Sequence, residues 1–229
     1  MSELKPVIDF LRELSANNGK PWFDAHKETY REVQTIFAGF TERFIAGVEE
    51  FDKSVSGLTV KECTWRIYRD IRFSADKTPY KTHFGAWVAP QGKKSGYAGY
   101  YIHIQPDEEL YMICAGLHCP TPAMIRSVRE EIMTDGDGFH AAVMEAGGFS
   151  LDRSIATKRV PAGYPADDKY ADYYKLKEYI VEQYLCEADI LSPSFLDRAL
   201  AQFRTTERFV ALLNRCVDYS REMGWEAHP

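Results

Sequence analysis

No stretch of this 229-residue chain approaches the ~18 to 20 consecutive apolar residues of a membrane span, so no spanning helix is expected. Lys5, Asp9, Arg12 and Glu13 interrupt the N-terminus, where a signal peptide needs an unbroken apolar core. A cationic excess is also missing: 28 Lys and Arg face 34 Asp and Glu, a net charge of −6. That excludes a globally basic nucleic-acid surface and leaves room only for a local patch. Cysteine is scarce and odd in number. Cys63, Cys114, Cys119, Cys186 and Cys216 are widely spaced, which is no disulfide framework and reads as buried reduced thiols in a cytoplasmic protein. There is no Gly/Ser linker, low-complexity tract or internal repeat, so one domain over residues 1–229 is expected. Gly-x-Gly-x-x-Gly, a Walker loop and Gly-x-Ser-x-Gly are all absent, and no cofactor is called for.

What the chain does have is core-forming material: 45% hydrophobic residues, with aromatics at 14%. Val7, Phe10, Leu11 and Leu14 recur at helical spacing, and Asn18-Gly19 offers a stop. Pro21 sits like a first-turn proline. Trp22, Phe23, Tyr30, Val33, Phe37, Phe40, Phe44, Val48 and Phe51 then trace one amphipathic stripe, predicting a single long helix of roughly 30 residues packed on a core.

From Cys63 the period changes to two. Trp65, Ile67, Ile71 and Phe73 alternate with Arg66, Tyr68, Asp70 and Arg72, which predicts a strand. Further strands are expected at residues 84–89, 98–105 and 110–115, joined by short turns that favour antiparallel pairing. Thr121-Pro122 opens a helix through Met133, and Asp137 starts another ending at Gly147-Gly148. A short strand is expected at 158–160 and another over the second half of 173–184. Helices then follow Ser192-Pro193 and Thr205 or Thr206. Helices flanking a run of strands make the fold class α+β: a mainly antiparallel sheet with a long, aromatic-rich N-terminal helix.

Chemistry concentrates in residues 66–83. Five cations, Arg66, Arg69, Arg72, Lys77 and Lys81, outnumber Asp70 and Asp76 inside an acidic chain. Field focusing makes such an island a candidate anion site. Arginine supplies forked donors and lysine point charges. Tyr68 and Tyr80 are candidates to orient a ligand, and His83 or Asp70 to move a proton. On the predicted strand Arg69 falls on the apolar face, so it needs a partner or a pocket. Asp76 and Pro79 predict an ordered loop that would aim Lys77, Lys81 and His83.

Arg69, Asp70, Arg72, Phe73, Ser74, Asp76, Lys77, Pro79, Tyr80, Lys81 and His83 together resemble the signature of a widespread, mainly bacterial domain-of-unknown-function family, Arg-Asp-x-Arg-Phe-Ser-x-Asp-Lys-x-Pro-Tyr-Lys-x-His. Weaker similarity extends to Asn17-Asn18, Trp22-Phe23, Tyr30, Gly99-Tyr100-Tyr101, Pro161-x-Gly163-Tyr164 and Leu176-Lys177. Ala75 stands where the family often has lysine, and Cys114-Ala115-Gly116 replaces a more glycine-rich stretch. The resemblance implies no particular activity.

Three readings follow. The leading one is an anionic, phosphorylated small molecule bound at the basic segment, with or without catalysis. The second is a module for nucleic acid or protein, which the net negative charge disfavours. The third is a structural ion-pair network with no ligand, if Asp172 or Glu178 supplies the missing carboxylates. Lys158, Arg159, Lys175 and Lys177 either complete the pocket or form a solvated face. Cys114, His118, Cys119 and His103 are metal-ligand types without a second pair at zinc spacing, so no metal is expected. Asp135-Gly136-Asp137-Gly138 is rejected as a calcium loop because Phe139 and His140 follow. The sequence leaves the oligomeric state open.

Overall fold

A computed structural model of the protein describes residues 3–225. Among them the elements are α1 (Lys5–Ala16), α2 (Lys20–Ala25), α3 (Lys27–Glu49), α4 (Val60–Cys63), β1 (Phe84–Val88), β2 (Gly99–Gln105), β3 (Leu110–Leu117), α5 (Pro122–Thr134), α6 (Gly136–Glu145), β4 (Ser150–Leu151), α7 (Ala171–Tyr174), β5 (Tyr179–Leu185), α8 (Glu187–Ile190), α9 (Phe195–Arg204) and α10 (Glu207–Glu222). The sheet is antiparallel throughout, in the order β1-β2-β3-β5-β4. The α+β expectation holds. No helix among the described residues is long and apolar enough to cross a membrane.

Alternation along each strand gives the sheet two unlike faces. On the covered face the register sets Val88, Tyr100, Ala115 and Val181 side by side, and all four are buried. α3 and α9 pack there through Phe44–Phe203, with ring centroids 5.4 Å apart, and Phe40–Phe195, at 6.0 Å. Truncating a buried ring such as Phe44 to Ala costs about 3–5 kcal/mol. The opposite face carries the row Trp87–Tyr101–Cys114–Glu182 and the row Gly85–His103–Met112–Tyr184. That face is polar and aromatic.

Capping follows the sequence. Thr121 Oγ1 accepts from Met124 N at 3.3 Å to start α5. Asp135 Oδ1 accepts from Gly138 N at 2.9 Å to start α6.

Four expectations are corrected. The long N-terminal helix is present as α3, but it starts at Lys27 and not at Pro21: a separate α2 ends at His26, whose Nδ1 bonds Trp22 O at 2.8 Å and whose ring stacks on Trp22. The stripe from Tyr30 to Val48 is buried as the spacing required. The strand predicted from Cys63 to Phe73 is absent; only the isolated bridges Thr64↔Ala86 and Tyr68↔Tyr80 form. Arg69 N donates to Pro79 O and Lys81 N to Ile67 O, but Pro79 has no N–H to extend the ladder. Its apolar residues also part company: Ile67 is buried, while Phe73 is 96% exposed. Residues 158–160 are not a strand; the short β4 lies at Ser150–Leu151 instead. Finally, Cys119 and Cys186 are exposed, so only Cys63, Cys114 and Cys216 are buried thiols.

Candidate functional site on the open face of the sheet

Segment 64–83 folds back over the β1 edge of the sheet. It is pinned from α1's side by Asn18, whose side chain donates to Tyr80 O at 2.9 Å and accepts from Tyr80 N at 3.2 Å. Tyr80 is buried, and its ring stacks on Phe23 at 4.0 Å. The half-exposed Tyr68 ring packs on Tyr80 at 5.5 Å. Both tyrosines anchor the loop.

The cations divide into two groups. Arg69 pairs with Asp76 and donates to Thr78 Oγ1. Asp76 also accepts from Thr78 N at 2.9 Å, and that bond together with Arg69 holds its carboxyl down to about 2. Arg72 makes a forked pair with Asp70, at 2.9 and 2.6 Å, which lowers the Asp70 pKa. That pair is out in solvent, with Arg72 76% exposed. Lys77 donates to Ile71 O at 3.0 Å. None of Tyr68, Arg69, Asp70, Arg72, Lys77 or Tyr80 lines either of the two hollows that meet at Lys81 and His83.

Arg66, Lys81 and His83 do. They share a pocket of about 530 Å³ with Tyr30, Gln34 and Trp65. Lys81 and His83 also line a second hollow of about 420 Å³ over the open sheet face, with Trp87 and Tyr101 as its floor. The two cavities thus meet at Trp65, Lys81 and His83. Neither the Lys81 ammonium nor the Arg66 guanidinium has a hydrogen bond or ion pair among the described residues. The carboxylates that might have balanced them are engaged elsewhere: Asp172 with Lys175 and Arg153, Glu178 with His118. Burial, then the neighbouring Arg66, lowers the Lys81 pKa. Lys158 and Arg159 are exposed, and Lys177 lines a separate hollow beside Cys119, so the second basic group does not join this pocket.

His83 is pushed down to about 4 by burial, then by His103 and Lys81. His103 is itself fixed in a chain along β2. Tyr101 Oη donates to its Nδ1 at 2.9 Å, and its Nε2–H donates to Gln105 Oε1 at 3.0 Å. Gly85 makes room for this chain: a Cβ there would sit 2.2 Å from Tyr101 Oη. The far wall of the second hollow is acidic, with Asp152, Glu178 and Glu182. Burial and then Asp152 raise the Glu182 pKa.

A family model described as conserved hypothetical protein matches residues 6–211, nearly the whole chain and all of the pocket just described. The chain belongs to the DUF2461 family. Comparison with curated proteins and with solved structures gives no match. In this DUF2461 chain, sequence reasoning weighed His103 only as a metal-ligand type and missed Trp87, Glu182 and Asp152. His103, Trp87 and Glu182 alternate with core residues on strands, and that periodicity was the available signal. Asp152 follows β4 in an irregular segment and gave none.

Proposed function

We propose that this protein, read as cytoplasmic, binds a small anionic ligand of the phosphate-ester type at the junction of the two hollows. Arg66 and Lys81 supply the charge, and neutral His83 supplies a hydrogen-bonding or proton-accepting nitrogen. The observation that carries this reading is the half-buried Lys81 ammonium, which opens on a cavity and has no protein partner among the described residues. A partly desolvated charge is costly unless compensated, and a ligand anion compensates it. Arg69 and Asp76 act instead to set the loop that presents Arg66 and Lys81, while Arg72 and Asp70 pair with each other out in solvent.

The acidic far wall shapes the rest of the ligand. A molecule long enough to cross Trp87 and Tyr101 meets Asp152, Glu178 and Glu182, so its far end is neutral or cationic. The same wall repels an extended polyanion. Titrating the full chain calorimetrically with inorganic phosphate, phosphate monoesters, a dicarboxylate and a single-stranded oligonucleotide tests this. A small anion binding at low salt, weakened about tenfold or more by Lys81→Ala, is expected. Binding of the oligonucleotide alone, with a steep salt dependence, would overturn the reading.

A further inference from the structure

We infer that Cys119 is a nucleophile activated by His118, with Glu178 holding the imidazole, and that it takes the acyl group of an ester or thioester. This site uses none of the cations of the anion pocket and stands independently of that reading.

The three residues meet because β3 and β5 pair in register. Leu117, the last residue of β3, lies opposite Tyr179, the first of β5. His118 and Cys119 follow the one, and Glu178 precedes the other. His118 Nδ1–H donates to Glu178 Oε2 at 3.0 Å, which leaves the Nε2 lone pair to face Cys119 Sγ–H at 3.3 Å. The second carboxylate oxygen, Oε1, accepts from Cys119 N–H at 2.9 Å. One carboxylate thus fixes both the imidazole tautomer and the backbone that carries the thiol. Glu178 is 14% exposed, while His118 is 61% exposed and reachable. Cys119 holds φ +49°, a left-handed conformation that non-glycine residues adopt uncommonly and that clusters at functional sites. Nucleophile, base and orienting acid at these separations are the geometry of assisted thiol attack.

A metal fits the same groups less well. Their ligand atoms spread over as much as 4.8 Å, whereas zinc bonds of about 2.0–2.3 Å draw ligands closer together.

Cys119 opens on a hollow of about 450 Å³ walled by Pro120, Pro122, Ile125 and Ile155, which suits an apolar acyl chain. In the first step the thiol proton passes to His118 Nε2 as Sγ bonds the carbonyl carbon. The leaving oxygen or sulfur then departs with its bonding electrons and takes that proton, leaving an acyl thioester on Cys119. Water attacks next and gives a proton to Nε2. The C–S bond breaks, a carboxylic acid leaves, and Sγ recovers the proton.

The charged groups around the pair are Glu178 on both residues, Asp152 and Glu182 in the hollow beside His118, and Lys177 and Arg129 in the hollow beside Cys119. The Glu178 bond outweighs burial and raises the His118 pKa, while burial and then Glu178 raise the Cys119 pKa, so the thiol stays neutral until His118 takes its proton.

Cys186 is an internal control, exposed but with its thiol donating to Asp189 at 3.1 Å. The test is iodoacetamide labelling of the native full chain, mapped to each cysteine by mass spectrometry, with a p-nitrophenyl butyrate assay beside it. Expected results are Cys119 labelling about tenfold or more faster than Cys186, loss of that excess in folded His118→Ala, and a stoichiometric nitrophenolate burst with the butyryl group on Cys119. Equal labelling of the two cysteines, indifference to His118→Ala, no burst from the wild type, or one tight zinc ion per chain requiring all three residues would overturn it.

Discussion

The His83 ring lies 4.8 Å from the His103 ring, and His103 has both nitrogens committed to Tyr101 and Gln105. A proton on His83 would therefore sit in a half-buried place beside a fixed ring and the Lys81 ammonium. His83 accordingly keeps its proton off down to about 4. In the unfolded chain the same imidazole takes a proton near 6.5. Between those values unfolding takes up a proton, so stability falls as pH is lowered through that window. Histidine NMR titration should show His83 inflecting near the low value, and His83→Asn should flatten the acid limb of a stability–pH curve. An ordinary inflection would remove this prediction's basis.

Gly85→Ala should disturb the floor of the site through Tyr101. The new Cβ collides with the Tyr101 hydroxyl, which must swing away from His103 Nδ1. A loss of about 1–3 kcal/mol is expected from overpacking and the broken bond. Tyr101→Phe breaks the bond without the clash and should cost less. Thermal melts of the two variants check the order.

Asn18→Ala should release the loop. It leaves both backbone groups of Tyr80 without their side-chain partner, a loss of about 1–3 kcal/mol. Limited proteolysis should then cut within residues 66–79 faster than in the wild type. An unchanged digestion pattern would show that Phe23 stacking alone holds the loop.

Arg69→Ala and Arg72→Ala should part company. Arg69 joins Asp76 and Thr78 across the loop, so its removal should speed the same proteolysis. Arg72 pairs with Asp70, its neighbour two residues away, and lies over the exposed Phe73 ring, both out in solvent. Its loss should leave the urea-denaturation midpoint unchanged.

Much of the fold was legible because strong periods were honest there. The three strands ending at residues 88, 105 and 117 and the α5 cap at Thr121 came from alternation and capping chemistry that tertiary packing did not contest. Residues 63–73 alternate just as well, yet Pro79 and the Asp76–Thr78 turn stop a ladder from forming, and Phe73 is left in water. Composition marked the basic segment, but only the fold separates its self-paired cations from Arg66 and Lys81. The meeting of Cys119 and His118 with Glu178 was beyond sequence reading, since Glu178 joins the other two only through the β3–β5 register.

Lys81→Ala against Arg72→Ala, titrated with the small anion that the wild type binds best, tests the central claim. Both remove one positive charge from the same segment, so a general field effect would weaken binding equally. The pocket account predicts a loss of about tenfold or more for Lys81→Ala and wild-type affinity for Arg72→Ala. Equal affinities in the two variants would contradict it.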